Sequence, residues 1–445
     1  MVFSNLFFIY LFLPLNLILY FISSNKTWRN GVLLAFSLFF YAWGEPVWVF
    51  MLMLTAFLDY TWARCIEYFR LSGQSRRMKL ALAASLLFDL GMLGVFKYSG
   101  FFVENLNLLT GLSLPVPQIS LPIGISFYTF QTISYVLDVY RGQVPAQKSY
   151  CKYLMYLSSY HQLVAGPIVR YSDVAAQIEE RHTTPQDMSE GITRFCIGLT
   201  KKVVLANAAG KLVEQYLNAP LQELSVAGAW FGVLLYSIQL YYDFSAYSDM
   251  AIGLGRMFGF HYHTNFNYPY LAKSVTDFWR RWHISLGSFF RDYVYIPLGG
   301  NRRHQLLNIS VVWLLTGLWH GASWNFVLWG AFYGILLMVE KLRLLRWLQR
   351  QAPSTVCSLA RLWWIFPQRP ILPQCRPRTL VLTTRSPFCA GLTALWAKRS
   401  STALPSWRAA SLRPTPKMAA SPTRALPTRL STSTACAMMT VQPST

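Results

Sequence analysis

Two histidines stand in stretches that otherwise read as apolar or aromatic helix. His320 interrupts WLLTGLWHGASWNFVLWG (Trp313 to Gly330), and His283 lies in DFWRRWHISLGSFFRDYVYIPLGGNRR (Asp277 to Arg303). An ionisable residue inside a membrane span is costly, faces the bundle interior or a cavity, and is a functional-site hypothesis by default. Burial disfavours the charged imidazole, so a ring held there can accept a proton. A neutral base within reach of a hydroxyl supplies general-base catalysis, typically about 10²–10⁴-fold. With a helix continuing through His320, its face would carry Thr316 and Gly317 one turn before and Ser323 and Trp324 one turn after. That face is small and polar, while Leu314, Leu318 and Phe326 lie elsewhere. A histidine hydrogen-bonded between helices as packing glue is the competing reading. The residues alone leave both open.

In the segment around His283, Phe278, Trp282, Leu286, Phe289, Phe290 and Tyr293 recur at helical spacing and predict one amphipathic helix. Asp277 and Arg281, four apart, are placed to pair, and Arg280 and His283, three apart, would be neighbours. Such a helix serves either as an interfacial anchor whose Arg280 and Arg281 meet phosphates or as the lining of an anionic donor's entry. Asp243 and Asp249 flank FSAYS in the polar run Tyr241 to Phe260, which continues through NFNYPY (Asn265 to Tyr270). Ion pairing with Arg256, Arg280 or Arg281 is their expected role. No Gly-rich phosphate loop, GxSxG elbow or metal-spaced carboxylate pair occurs. A metal between His283 and His320 would lack its other ligands, so no metal is expected.

These residues require a scaffold, and the composition says which kind. Of the 445 residues 53% are hydrophobic and only 13% charged, against about 25% charged in soluble domains, and mean hydropathy is +0.30. LFFIYLFLPLNLILYFIS (Leu6 to Ser23) carries no charge and approaches the roughly 20 residues of a bilayer crossing. It lacks the basic start and small-residue cleavage site of a signal peptide, so it reads as a retained span. Further spans are expected at 31–44, 46–62, 80–96, 119–137, 150–168, 192–209, 226–242, 245–260, 284–298, 306–320 and 323–340. Several are short or interrupted, which predicts an all-α polytopic transmembrane bundle of about ten spans. Leu121 to Tyr128 and Val164 to Val169 are expected as re-entrant segments, since irregular backbone survives at membrane depth only where protein or water covers it.

The net charge of +22 fits cytoplasmic loops of a membrane protein better than nucleic-acid binding, and no nucleic-acid partner is expected. Lys26 and Arg29 follow the first span, and Arg64, Arg70, Arg76, Arg77 and Lys79 fall between the third and fourth. Both loops are cytoplasmic if the N-terminus faces outward. The cysteines, including Cys65, Cys151 and Cys196, form no CxxC or metal spacing.

Near residue 350 the character changes. Residues 351–445 hold no acid and are dense in Arg, Pro, Ser, Thr and Ala, a composition that predicts disorder. A lipid-binding basic tail and an idle tail are weighed against out-of-frame translation, and the last is preferred. The chain therefore divides into a membrane-embedded domain, 1–350, and this tail, 351–445, with no functional residue placed in the latter.

Taken in order, Leu121 to Gly142, Leu163 to Tyr171, Tyr241 to Phe260, Asn265 to Tyr270, Asp277 to Arg303 and Trp319 to Gly330 closely resemble the membrane-bound O-acyltransferase (MBOAT) family, within it the alginate O-acetylation branch. DFWRRWHISL and WHGASWNFVLWG are the most specific of these motifs, and the likeness covers roughly residues 1 to 345. The resemblance implies a helical bundle around a tunnel in the bacterial inner membrane. His320 matches the family's catalytic histidine and His283 its second polar active-site residue. Trp279, Arg280, Arg281, Trp319 and Asn325 are expected donor or substrate contacts. The implied donor is acetyl-CoA or a similar thioester, with no bound cofactor. The implied partners are a periplasmic acetyltransferase, other polysaccharide-modification subunits and a polysaccharide acceptor, with the lipid bilayer around them. Similar proteins continue past the WHG helix with further spans, which the acid-free tail would replace here, leaving the bundle open on one side. Tyr160 and His161 stand where relatives often carry Phe-Pro, and His161 is taken as incidental. D-alanyl transfer to teichoic acid is the nearer alternative. A transporter or flippase is the more distant one, and it predicts internal repeats with matching broken helices, of which the sequence has no trace.

Overall fold

In a computed structural model of the chain, the structure describes residues 2–220 and 224–341, and every regular element among them is helical. The tail 351–445 lies outside the described residues. The helices are α1 (Leu13–Phe21, entered through a π turn), α2 (Lys26–Gly44), α3 (Trp48–Leu71), α4 (Ser75–Leu93), α5 (Ser99–Thr110), α6 (Ile125–Arg141), α7 (Tyr150–Ser158) and α8 (Tyr160–Leu163). They continue with α9 (Tyr171–Glu179), α10 (Pro185–Thr200), α11 (Asn207–Leu217), α12 (Val226–Met257), α13 (Val275–Arg281), α14 (Ile284–Phe290), α15 (Gln305–His320) and α16 (Trp324–Lys341). π turns join α4 to α5 (Gly94–Tyr98) and α10 to α11 (Lys201–Ala206).

Local chemistry sets several boundaries. Asn25 and Ser225 cap α2 and α12 by accepting from Thr27 and Gly228 amides at 2.8 and 3.0 Å. Thr184 and Asp187 form a reciprocal capping box on α10, with Pro185 in its first turn. Gly142 ends α6 at φ 75°, a conformation that favours glycine.

Two stretches, Trp48–Leu71 and Ser75–Thr110, are long and apolar enough to cross a membrane, with mean hydropathies of 1.3 and 1.7. Leu54, Phe50, Leu87, Leu90, Ile18 and Ile335 point outward and exposed. Such a large apolar surface marks a membrane or partner interface.

The interior divides into two packed clusters. One gathers α1 to α4 and α6 to α8 around Phe8, Phe40, Tyr128, Tyr153 and Tyr160. The other joins α6 to α13–α16 through Phe130, Trp282, Phe289, Trp313, Trp319 and Trp329. α6 is buried along nearly its whole length and belongs to both.

Several expected segments are corrected. Residues 226–242 and 245–260, expected as two spans, form the single 32-residue α12, because DFSAYSD contains no helix breaker and its acids find partners without leaving the helix. The span expected at 119–137 begins only at Ile125, and 121–124 is a turn. The span expected at 150–168 bends at Ser159 and ends at Leu163, after which 164–170 is irregular and mostly buried by protein. The continuous amphipathic helix expected from Asp277 to Tyr293 is broken between α13 and α14. Trp282 is extended and His283 sits at φ 43°, so Arg280 and His283 are not helical neighbours.

Glycines allow the closest helix crossings. A Cβ on Gly253 of α12 would lie 2.6 Å from the Gly191 carbonyl of α10. At the α15–α16 crossing a Cβ on Gly317 would overlap the Phe326 carbonyl, and one on Gly330 would come 3.0 Å from the Gly317 Cα. Gly317→Val is expected to separate these two helices and to cost about 1–3 kcal/mol of stability, read as a lowered thermal midpoint of the detergent-solubilised protein. The α10 box gives a pH-dependent test. Hydrogen bonds from Thr184, then from His261 and Arg256, hold the Asp187 carboxyl well below the ordinary carboxylate range. A carboxyl depressed on folding contributes stability that is complete above its unfolded pKa, about 3.9, and is lost as pH falls through the folded value. Asp187→Asn should therefore lower the thermal midpoint at pH 7, and its gap to wild type should narrow below about pH 4.

Candidate functional site

The break between α13 and α14 places His283. Its ring is fully enclosed, and the backbone around it is held by the chain reversal at 265–267: Ile284 donates to the Asn265 carbonyl and Asn267 to the Arg281 carbonyl, both at 2.9 Å. The Asn265 side chain completes the hold. Its Oδ1 accepts from the Ser285 amide at 3.1 Å and the Ser285 hydroxyl at 2.9 Å, and lies 3.2 Å from His283 Nδ1. Its Nδ2 donates to the Gly166 carbonyl at 3.3 Å and Ser248 Oγ at 3.2 Å. Because Oδ1 can only accept, Nδ1 must carry the proton, which leaves Nε2 with a bare lone pair. That Nε2 is buried and has no hydrogen-bond partner among the described residues.

His320 occupies a different kind of position. It is the last residue of α15, and Gly321 after it is extended at φ −172°. Ser323 and Trp324 therefore do not continue its face, contrary to the expected helical neighbours, although the division of the stretch into 306–320 and 323–340 matches α15 and α16 closely. Gly321 packs its Cα against the Phe326 ring, leaving no room for a side chain there.

Trp319 stands between the histidines, its ring 5.9 Å from that of His283 and 4.9 Å from that of His320. His320 also meets Trp329 at 4.8 Å, and His283 meets Phe244 at 4.8 Å. Trp319 is itself fixed by Phe130 at 5.6 Å and by its Nε1 donating to the Ser126 carbonyl at 3.5 Å, both from α6. The two histidines and Trp319 thus form one constellation at the end of α15.

The other expected residues are placed differently. Trp279 packs in an aromatic cluster with Trp313 at 4.6 Å and Tyr333 at 4.9 Å. Arg281 pairs with Asp277 at 2.9 Å, four residues back, and Arg280 is exposed. Asn325 is half-buried in the first turn of α16. Asp243 and Asp249 pair with neither Arg280 nor Arg281 nor Arg256. Their partners are Lys202 for Asp243, and Lys201 and Arg194 for Asp249 at 2.7 and 3.1 Å, while Arg256 turns to Asp187 and Glu190. His161 is buried, with Nδ1 2.7 Å from the Tyr262 hydroxyl.

A cleft of about 420 Å³ is lined by Pro167–Arg170, Tyr262–Thr264, Ile284, Ser285, Ser288, Arg291 and Asp292. It reaches the residues adjoining His283. Its cations are Arg170 and Arg291, both held by Asp292 at 2.9 and 2.6 Å; neither Arg280 nor Arg281 lines it. The Arg141 guanidinium of α6 touches the Asp292 carbonyl at 3.4 Å, so the cleft opens at the end of the bundle where Arg70 meets the α6 terminus. Trp319 lies at the other end of α6, beside Ser126. Among the described residues no group of three or more His, Cys, Asp or Glu is arranged to hold a metal.

Sequence reasoning overlooked Asn265, Ser285, Ser126 and Lys97. Asn265 stood in a stretch already marked as polar, but its three-way hold is visible only in space. Lys97, in GVFKYSGFF directly after an apolar run, was a lone intramembrane cation and carried a readable signal. Its Nζ donates to the Trp319 carbonyl and to Ser126 Oγ.

Comparison with known proteins identifies the family. A model of the membrane-bound O-acyltransferase family matches residues 11–363. The chain is 42% identical to the probable alginate O-acetylase AlgI of Azotobacter vinelandii, over 82% of this chain and 72% of that protein. It is also 42% identical to its counterpart in Pseudomonas aeruginosa, over 77% of this chain and 66% of that protein. The peptidoglycan O-acetyltransferase of Helicobacter pylori is 35% identical over 77% of this chain and 70% of its own length. With two thirds to three quarters of these relatives' length spanned, and with both histidine motifs inside the matched region, the chain belongs to the membrane-bound O-acyltransferase family of acyl-transferring membrane enzymes.

Proposed function

We propose that this acyltransferase takes an acetyl group from a thioester on the cytoplasmic side of a bacterial inner membrane and passes it through the bundle for O-acetylation of an exopolysaccharide such as alginate. The observation that carries the reading is the pair of histidines flanking Trp319, His283 enclosed and His320 half-buried, with a cleft carrying two arginines beside the residues that adjoin His283. By the loop charges the end of the bundle where the cleft opens is cytoplasmic, which suits a donor such as acetyl-CoA whose phosphates meet Arg170 and Arg291. About ten spans surround the site in this reading. A periplasmic acetyltransferase, working with other polysaccharide-modification subunits, then places the group on sugar hydroxyls.

His320 is the general base, taking the proton of the attacking hydroxyl and returning it to the departing thiolate. His283, its Nε2 bare, accepts a hydrogen bond from the donor and so orients the thioester. Asn265 acts through His283 as a positioning residue, fixing both the tautomer and the ring plane. D-alanyl transfer is the weaker reading: the teichoic acid D-alanyltransferase of Bacillus subtilis is 27% identical over only 48% of this chain.

The decisive measurement is the acetyl content of secreted polysaccharide from a deletion strain carrying this chain or its variants. His320→Ala is expected to abolish acetylation while the protein still inserts in the membrane, and wild-type acetylation by that variant would sink the assignment. Asn265→Ala should lower turnover on the order of 10²-fold through a misplaced His283 ring, with protein level in the membrane unchanged. A variant with full turnover would show that His283 needs no such anchor.

A further inference from the structure

Lys97 is a cation of the inner bundle with no carboxylate partner among the described residues. Several others are neutralised, Lys202 by Asp243, Lys201 and Arg194 by Asp249, and Arg170 by Asp292, whereas Arg181 donates only to Tyr20, Asn30 and backbone carbonyls. Lys97 donates to a carbonyl and a hydroxyl, at Trp319 and Ser126. Keeping an unpaired ammonium in such a place costs free energy, and residues kept at that cost mark functional sites.

Its location is specific. The π turn Gly94–Tyr98 carries it against the last turn of α15, where the Tyr98 hydroxyl donates to the Leu318 carbonyl at 2.7 Å and Lys97 to the next one along. The ammonium lies 5.8 Å from the Trp319 ring, whose own ring lies 4.9 Å from that of His320. An ammonium has three N–H donors. Two are spent on Trp319 and Ser126, and the third has no partner among the described residues.

We propose that Lys97 is a further catalytic residue, the donor that stabilises the oxyanion formed on the acyl carbonyl during transfer. The inference rests on His320 acting as the base. In the step, the acceptor oxygen bonds to the thioester carbonyl carbon, and its proton passes to His320. The carbonyl π pair moves onto oxygen, giving an oxyanion that the third Lys97 N–H meets. When that pair returns, the C–S bond breaks, and the thiolate leaves with the proton held by His320. A fixed ammonium in a site with little water stabilises the intermediate far more than it stabilises the neutral thioester, which is the condition for raising kcat rather than lowering KM.

The test is steady-state acetyl transfer by the full chain in proteoliposomes with acetyl-CoA as the probe donor, comparing Lys97→Met, Lys97→Arg and His320→Ala. The expected result is a fall in kcat of about 10²–10³-fold for Lys97→Met, with KM for the donor little changed and part of the rate regained in Lys97→Arg. A kcat within tenfold of wild type for Lys97→Met overturns the proposal. So does an equal loss in the Met and Arg variants accompanied by a lowered thermal midpoint, which would make Lys97 a clamp on α15 only. Transfer surviving in His320→Ala would instead remove the reading on which the proposal stands.

Discussion

The Asn265 amide is the contact on which the site depends. One side chain holds the Ser285 amide and hydroxyl and His283 Nδ1 on its oxygen, and Gly166 and Ser248 on its nitrogen. It thereby ties the irregular stretch 164–170, the middle of α12, and the start of α14 to one point. The stretch 164–170 has no regular helical backbone at that place, and a buried unpaired amide costs about 1–3 kcal/mol. The same five contacts therefore stabilise the reversal and orient the imidazole. His283 also pays with its backbone, at φ 43°, a region rare for residues other than glycine. Strain of this kind persists only where the surroundings over-determine it, and Asn265 is what does so here.

Much of this was legible in the residues. The apolar runs, their all-helical character and the division of the last hydrophobic stretch into 306–320 and 323–340 all follow from helical periodicity and length. The Asp277–Arg281 pair follows from a spacing of four. What periodicity misread was continuity. In the run from Asp277 to Tyr293 the apolar stripe passes through Trp282 and His283 without a Gly or Pro to announce a break, because the break is imposed by the 265–267 reversal pairing with it from outside. The opposite error arose in α12, where the polar DFSAYSD looked like a boundary. Its carboxylates are met by Lys201, Lys202 and Arg194 from the neighbouring segment, so the helix runs through. Both errors have one source: a helix in a bundle continues or stops according to partners far away in sequence.

Charge placement separates the two ends of the molecule. Arg170 and Arg291 are gathered on Asp292 in the cleft, where solvent can reach them. Paired in this way they cost little in the absence of a ligand, and the shared carboxylate keeps both guanidiniums aimed at one place. Arg280 and Arg281, which the spacing of the WRRWH motif had put forward, are used otherwise: one pairs within its own helix turn and the other faces outward. The arginines of a motif thus need not line the cleft beside it.

The position of His320 follows from what surrounds the end of α15. A base in the middle of a helix has its backbone fixed by the helix alone, whereas one at a terminus depends on its neighbours. Here the neighbours are numerous. Gly317 and Gly330 let α16 approach until backbone meets backbone, Lys97 and Tyr98 take the last carbonyls, and Ser126 and Phe130 fix the adjoining Trp319. A helix terminus leaves carbonyls without intrahelical partners, and donors that satisfy them also fix the direction in which the final side chain leaves. The cost of stopping the helix at His320 is thereby turned into placement, which the proposed role of its ring requires. The short Gly-Ala-Ser link that follows completes the arrangement, since it lets the chain turn away at once and leaves one face of the imidazole to the interior rather than to the next turn of its own helix.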